Sequence, residues 1–166
     1  MTSSNDTIHV RFVLNGQPVE LDVLPNHTLA DVVRERCGMT GTHLGCEHGV
    51  CGACTVLLDD DPVRSCLVFA VQADDASVRT VEGIGGPEGK LAALQEELGA
   101  RGGLQCGFCT PGFLVLAESL LEREPDASDE RITEVMSSNL CRCTGYAGIL
   151  DAVMAMRDER SDRAVD

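Results

Sequence analysis

Aromatic residues are nearly missing from this 166-residue chain, which has no Trp, one Tyr and four Phe. Its core must therefore be assembled from Leu, Val, Ala and Ile. Positive charge is also scarce: 13 Lys and Arg face 27 Asp and Glu, for a formal net charge of −14. So acidic a surface repels nucleic acid and anionic membranes and suits docking onto other proteins. No apolar run approaches the ~18 residues that a membrane-spanning helix needs. Met1–Asp6 contains neither a basic nor an apolar segment of the signal-peptide kind, so the expectation is a cytoplasmic protein. Thiols there stay reduced and available to metal. Nor does a Ser/His/Asp set or an acid–base pair of carboxylates stand out. Gly83-Ile84-Gly85-Gly86-Pro87-Glu88-Gly89-Lys90 fails as a dinucleotide loop, because Glu88 stands where the third glycine belongs. It fails as a P-loop because Ile84 replaces the first glycine and Leu91 the Ser/Thr. Chemistry on an organic substrate has no visible home in this chain.

What the sequence does have is cysteine, nine in all. Cys46-x4-Cys51-x2-Cys54, with eleven residues separating Cys54 from Cys66, is the plant-type ferredoxin spacing for a [2Fe–2S] cluster. The glycines of Gly45-Cys46-Glu47-His48-Gly49-Val50-Cys51-Gly52-Ala53-Cys54 suit a loop that must turn backbone N–H groups onto sulfur, since Gly tolerates close approach and positive φ. Structural zinc would show paired C-x2-4-C units, and a Rieske centre would need two histidines in place of two cysteines. Four cysteines already complete this site, so His43 and His48 are read as loop residues, solvent-facing or hydrogen-bonded. A second set follows, Cys106-x2-Cys109 and then Cys141-x-Cys143, with thirty-one residues between the pairs. A lone C-x-x-C would suggest a redox dithiol or half a zinc site; with Cys141 and Cys143 in the same half, a second cluster is favoured. Cys37 matches neither set and is expected to be a buried structural thiol.

The hydrophobic period changes along the chain. Ile8, Val10, Phe12 and Leu14 alternate with more polar neighbours, as do Val19, Leu21 and Val23, and Asn15-Gly16 between them predicts a hairpin. A helix is expected from an N-cap at Thr28 through Arg36, and short strands at Thr55–Leu58 and Ser77–Val81. After the expected linker Gly83–Gly89 the period becomes helical: Leu91, Leu94, Leu98; Phe113, Leu116, Ala117, Leu120; Ile132, Val135, Met136; Ile149, Ala152, Val153, Met156. Pro111-Gly112 suits a helix start. Asp59-Asp60-Asp61 reads as a turn, and the charged tail 157–166 as frayed. The fold class is α+β, divided into residues 1–83 and 84–166, each half small enough to need a metal staple.

Gly-Cys-x-x-Gly-x-Cys-Gly-Ala-Cys, Gln-Cys-Gly-Phe-Cys-Thr-Pro-Gly and Asn-Leu-Cys-Arg-Cys-Thr-Gly-Tyr, in that order, resemble the iron–sulfur subunit of the molybdenum hydroxylases. That group includes xanthine dehydrogenase, aldehyde oxidoreductases, carbon monoxide dehydrogenase and enzymes oxidising N-heterocycles. The resemblance spans residues 7–156. It implies a plant-ferredoxin-like β-grasp domain followed by a four-helix-bundle [2Fe–2S] domain, acting as an electron-transfer subunit. It implies molybdopterin on a large partner subunit and FAD on a medium one, in a dimer of heterotrimers. The Cys106/Cys109/Cys141/Cys143 cluster would lie nearest molybdenum, with Gln105 and Cys143 against the pterin. The Cys46/Cys51/Cys54/Cys66 cluster would face the flavin. The rival reading is a stand-alone two-cluster ferredoxin or redox-sensing module, but a free ferredoxin needs only the first set.

Overall fold

Asn15 and Gly16 both take positive φ, 50° and 80°, which makes the expected hairpin a type I′ turn matched to the twist of its strands. In the computed structural model, which describes residues 7–84 and 90–165, this hairpin joins β1 (Ile8–Leu14) to β2 (Gln17–Val23) in antiparallel register, Leu14 opposite Gln17. A second hairpin repeats the device. Asp59 and Asp60, at φ 49° and 68°, turn β3 (Thr55–Leu58) into β4 (Asp61–Arg64). The acidic turn is thus as expected, but β4 is a strand that the sequence pattern did not show. It is four residues long and carries Pro62, which is tolerated because β4 lies at the sheet edge. With β5 (Ser77–Arg79), parallel to β1, the order is β2-β1-β5-β3-β4.

One face of this sheet holds a short helix. Thr28 caps it: its hydroxyl accepts from the Asp31 N–H at 3.1 Å, and the Asp31 carboxylate accepts from the Thr28 N–H at 2.9 Å. The helix starts as α1 (Leu29–Asp31) and continues in π geometry over Val32–Arg36. Leu29, Val32 and Val33 bury completely against Val10, Phe12, Leu14, Val23, Val56 and Val78. Cys37 packs half-buried at the edge of this core, and burial raises its thiol pKa despite the neighbouring Arg36.

Four helices follow: α2 (Lys90–Ala100), α3 (Thr110–Arg123), α4 (Asp129–Met136) and α5 (Ala147–Val165). Leu94, Leu98, Phe113, Leu116, Ala117, Leu120, Ile132, Met136, Ile149, Ala152, Val153 and Met156 form their common core, the apolar stripes expected from the sequence. In α3 every residue from Gly112 to Leu121 is buried. Its outer face lies on the sheet, where Val115 packs with Leu57 and Ile84. Residues 85–89 of the expected linker, and Met1–Asp6, lie outside the described residues.

The tail is not frayed. The helix α5 continues through residues 157–165 because its arginines find partners on the bundle. Arg157 donates to the Ala127 carbonyl at 2.8 Å and pairs with Asp129 at 2.6 Å, while Arg160 pairs with the buried Glu118 at 2.7 Å. Asp166 lies outside the described residues. No helix among the described residues is long and apolar enough to cross a membrane.

Candidate metal centres

Loop 45–54 wraps around its own thiols. Glu47, Gly49 and Gly52 take φ of 56°, 83° and 75°, a left-handed run that turns successive amides inward. The Cys51 N–H donates to Cys46 Sγ at 3.4 Å. That bond, seconded by the His48 amide, lowers the Cys46 pKa to about 6. Thiolate, the form that binds metal, is thereby stabilised at a side chain that the loop only partly covers. Burial raises the Cys51 thiol, and the Ala53 amide partly offsets this.

Cys54 begins the β3–β4 hairpin and Cys66 ends it, in a 3-10 turn over Ser65–Leu67. Ser65 closes the hairpin, donating to the Cys54 carbonyl from its N–H at 3.3 Å and its hydroxyl at 2.7 Å. Cys66 comes to rest against Cys54. Burial, then the hydrogen bond with Cys54, pushes the Cys66 thiol up to about 11, with the Gly49 amide opposing. The first set thus consists of two touching pairs, Cys46 with Cys51 and Cys54 with Cys66.

The second set is also two pairs, crossed between its motifs. Cys143 Sγ lies 3.5 Å from Cys106 Sγ, and Cys109 is hydrogen-bonded to Cys141. Cys109 immediately precedes α3, with Pro111 in the first turn as expected. Burial, then Cys141, pushes the Cys109 thiol up to about 12. Burial also acts on Cys141, but the Thr144 hydroxyl, 3.1 Å from its sulfur, and the Thr144 and Cys143 amides outweigh it and lower the pKa. The hydrogen bond with Cys106 raises the Cys143 thiol. Cys106 and Cys143, with Gln105, are exposed.

The sole tyrosine organises this second loop, a role that its motif position did not reveal. The Tyr146 hydroxyl accepts from the Cys141 N–H at 3.0 Å and donates to the Asn139 carbonyl at 3.1 Å. Its ring meets Phe113 edge-on at 6.2 Å. Both histidines of the first loop are hydrogen-bonded, His43 to the Phe108 carbonyl and His48 to the Cys46 carbonyl.

The two loops also meet. The Leu140 N–H donates to the Cys51 carbonyl at 2.8 Å. Arg64 donates to the Thr55 hydroxyl at 2.6 Å and to the Ser138 carbonyl at 2.8 Å. Asn139, 1% exposed, fills the remaining space: a Cβ on Gly52 would lie 1.9 Å from its Oδ1, and one on Gly112 3.2 Å from its Nδ2. Glycine at 52 and 112 is what allows the halves to approach this closely. Among the described residues, no three His, Cys, Asp or Glu gather tightly enough to hold a single metal ion. The sulfurs sit as pairs, with backbone amides aimed at them.

Two families match the chain in succession. Residues 12–81 match the 2Fe-2S iron-sulfur cluster binding domain and residues 80–154 the [2Fe-2S] binding domain. The caffeine dehydrogenase subunit gamma of Pseudomonas sp. (strain CBB1) is 47% identical over 150 residues, covering 89% of each chain. The nicotine 6-hydroxylase small subunit of Paenarthrobacter nicotinovorans is 48% identical over 152 residues, covering 92% of this chain and 91% of that one. The chain belongs to the iron–sulfur subunits of the molybdenum hydroxylases. A solved structure of quinoline 2-oxidoreductase from Pseudomonas putida 86 superposes with a TM-score of 0.88 at 48% identity, covering 96% of this chain and 98% of that one. The fold is accordingly the family's, a ferredoxin-like half followed by a helical one. The chain is a non-catalytic electron-transfer subunit of an oxidoreductase complex, with two [2Fe–2S] clusters as its cofactors.

Proposed function

We propose that this subunit carries electrons from a molybdopterin centre on a large partner subunit to FAD on a medium one, in a cytoplasmic dimer of heterotrimers that oxidises an N-heterocycle. We assign Cys46, Cys51, Cys54 and Cys66 as the ligands of the first [2Fe–2S] cluster. Cys106, Cys109, Cys141 and Cys143 are the ligands of the second. The cluster-binding domains are residues 1–83 and 84–166. The observation that carries the ligand assignment is the gathering of four thiols in each set as two hydrogen-bonded pairs, a donor set that would suit a four-thiolate [2Fe–2S] cluster. When bound, the clusters supply one-electron redox chemistry, which the protein tunes through burial and N–H···S bonds.

This chain's residues divide the remaining work. Cys106, Cys143 and Gln105 are exposed together, which supports a docking of the second site on the molybdenum subunit with Gln105 and Cys143 against the pterin. Cys46 and Cys51 present the first site on the other loop, towards the flavin subunit. The preference for an N-heterocycle rests on the caffeine, nicotine and quinoline enzymes that the chain resembles.

Stopped-flow reduction of the assembled complex tests the order. With Cys109→Ala, substrate should reduce molybdenum while electrons fail to reach the flavin. With Cys51→Ala, the second centre should still be reduced by substrate, and flavin bleaching should slow sharply. The order is backwards if Cys51→Ala blocks reduction of the second centre while Cys109→Ala still lets substrate electrons enter the first. Offering N-heterocycles, aldehydes and carbon monoxide to the same complex tests the substrate class; reduction by aldehydes or carbon monoxide alone would refute it.

A further inference from the structure

Phe108 belongs by sequence to the second cysteine loop, between Cys106 and Cys109, yet its ring lies on the first. His43, three residues before Cys46, holds it there twice. The His43 Nδ1 donates to the Phe108 carbonyl at 2.8 Å, and the two rings stack with centroids 4.9 Å apart and planes 22° from parallel. Beyond His43, a Cβ placed on Gly45 would lie 3.3 Å from Phe108 Cε1 and 3.1 Å from Cys51 Sγ. The ring edge and that sulfur therefore flank one glycine so closely that an added Cβ would have to push one of them aside. Phe12 and Phe113 are buried in the two cores, and Tyr146 stands against Phe113.

We propose that Phe108, anchored by His43, is a positioning residue that screens the first site from water on its Cys51 side and so holds that site's reduction potential down. The inference rests on the ligand assignment above. Its physical basis is charge. A four-thiolate [2Fe–2S] site is anionic, and reduction adds a further negative charge. Water stabilises the more highly charged form, whereas an apolar ring does not. Phe108 turns about half of its surface to solvent (47% exposed) while its other side lies beside Gly45, and the rest of the first loop is open, since Cys46 is only partly covered and Val50 and Leu67 are exposed. A single well-placed ring can therefore control hydration at Cys51. His43 acts through Phe108 and not by touching a ligand.

The test is a dithionite redox titration of the assembled complex, following the EPR signal of each centre separately. Iron and labile sulfide are measured first. Phe108→Ala should keep both centres and shift the first centre's midpoint upward. Phe108→Leu and His43→Leu should shift it less, and Phe108→Tyr, which keeps the ring, should restore the original value. The second centre should move less than the first, although Phe108 lies in its own loop. An unmoved first midpoint in Phe108→Ala, or a larger shift at the second centre, overturns the proposal. If Phe108→Ala loses iron, the Leu and Tyr variants decide on the same criterion. If the unmodified complex lacks one cluster, it is the ligand assignment that fails, and the two failures are thereby told apart.

Discussion

Leu140 donates its backbone N–H to the carbonyl of Cys51 at 2.8 Å, so the residue preceding Cys141 is hydrogen-bonded to a cysteine of the other set. The two sites are consequently parts of one seam, in which Asn139, Gly52 and Gly112 fill the space beside that bond.

The seam should be intolerant of added carbon. Gly52→Ala combines a φ of +75° with a Cβ 1.9 Å from Asn139 Oδ1, and Gly112→Ala places a Cβ 2.3 Å from the Gly52 carbonyl oxygen. Each should lower stability by about 1–3 kcal/mol, with Gly52→Ala the worse because left-handed strain adds to the clash. Gly16→Ala is the control: its φ is +80° but nothing lies within 4 Å, so only the conformational penalty of about 1 kcal/mol applies. Thermal denaturation of the three variants, with iron content checked, should give that ranking.

Metal analysis of the purified chain should find ~4 iron and ~4 acid-labile sulfide, as expected for two [2Fe–2S] clusters. The reduced EPR spectrum should contain two signals of different relaxation, because one site sits in a glycine loop and the other at the start of a helix. Stoichiometric zinc, or a single centre, would contradict the assignment.

Cys37→Ala should retain both clusters at a packing cost on the order of 1 kcal/mol, since the side chain is only half-buried at a core edge. Cys51→Ala and Cys109→Ala should each abolish one cluster and spare the other. Iron loss in the Cys37 variant would expose a misassigned ligand.

Arg160→Leu should destabilise the bundle by about 3 kcal/mol, because it strands the buried Glu118 carboxylate, whose side chain is 4% exposed. Replacing both residues, with Glu118→Gln beside Arg160→Leu, should recover part of the loss. A double-mutant cycle in denaturant measures the coupling; additive effects would show that the pair contributes nothing of its own.

Isolated from its partners, the chain should be reduced by dithionite and reoxidised, yet turn over no N-heterocycle, aldehyde or carbon monoxide. Steady-state assays with an artificial acceptor check this, and any turnover would place a catalytic site in this chain.

Much of the architecture could be read before folding was considered. Both hairpin turns, the Thr28 cap and the apolar stripes of four helices depend on contacts between near neighbours, which leave a period or a turn residue in the sequence. Strand β4 left none, because four residues including Pro62 carry no alternation and draw their pairing from β3 alone. The tail hides its structure for a related reason: its charges resemble a solvated end until Arg157 and Arg160 meet Asp129 and Glu118 on other helices.

The sequence by itself determined the family and the candidate sulfur donors, since two four-cysteine sets at these spacings lie in loops that glycine can bend. Tertiary structure decided which thiol meets which, and how the sets adjoin. Cys66 reaches Cys54 only because a hairpin returns the chain, and Cys106 meets Cys143 only because the starts of α3 and α5 converge. Gly52, Gly112 and Asn139 come from three distant stretches of chain. Their contact depends on the packing of α3 against the sheet, a long-range consequence of burying apolar surface that no local pattern encodes.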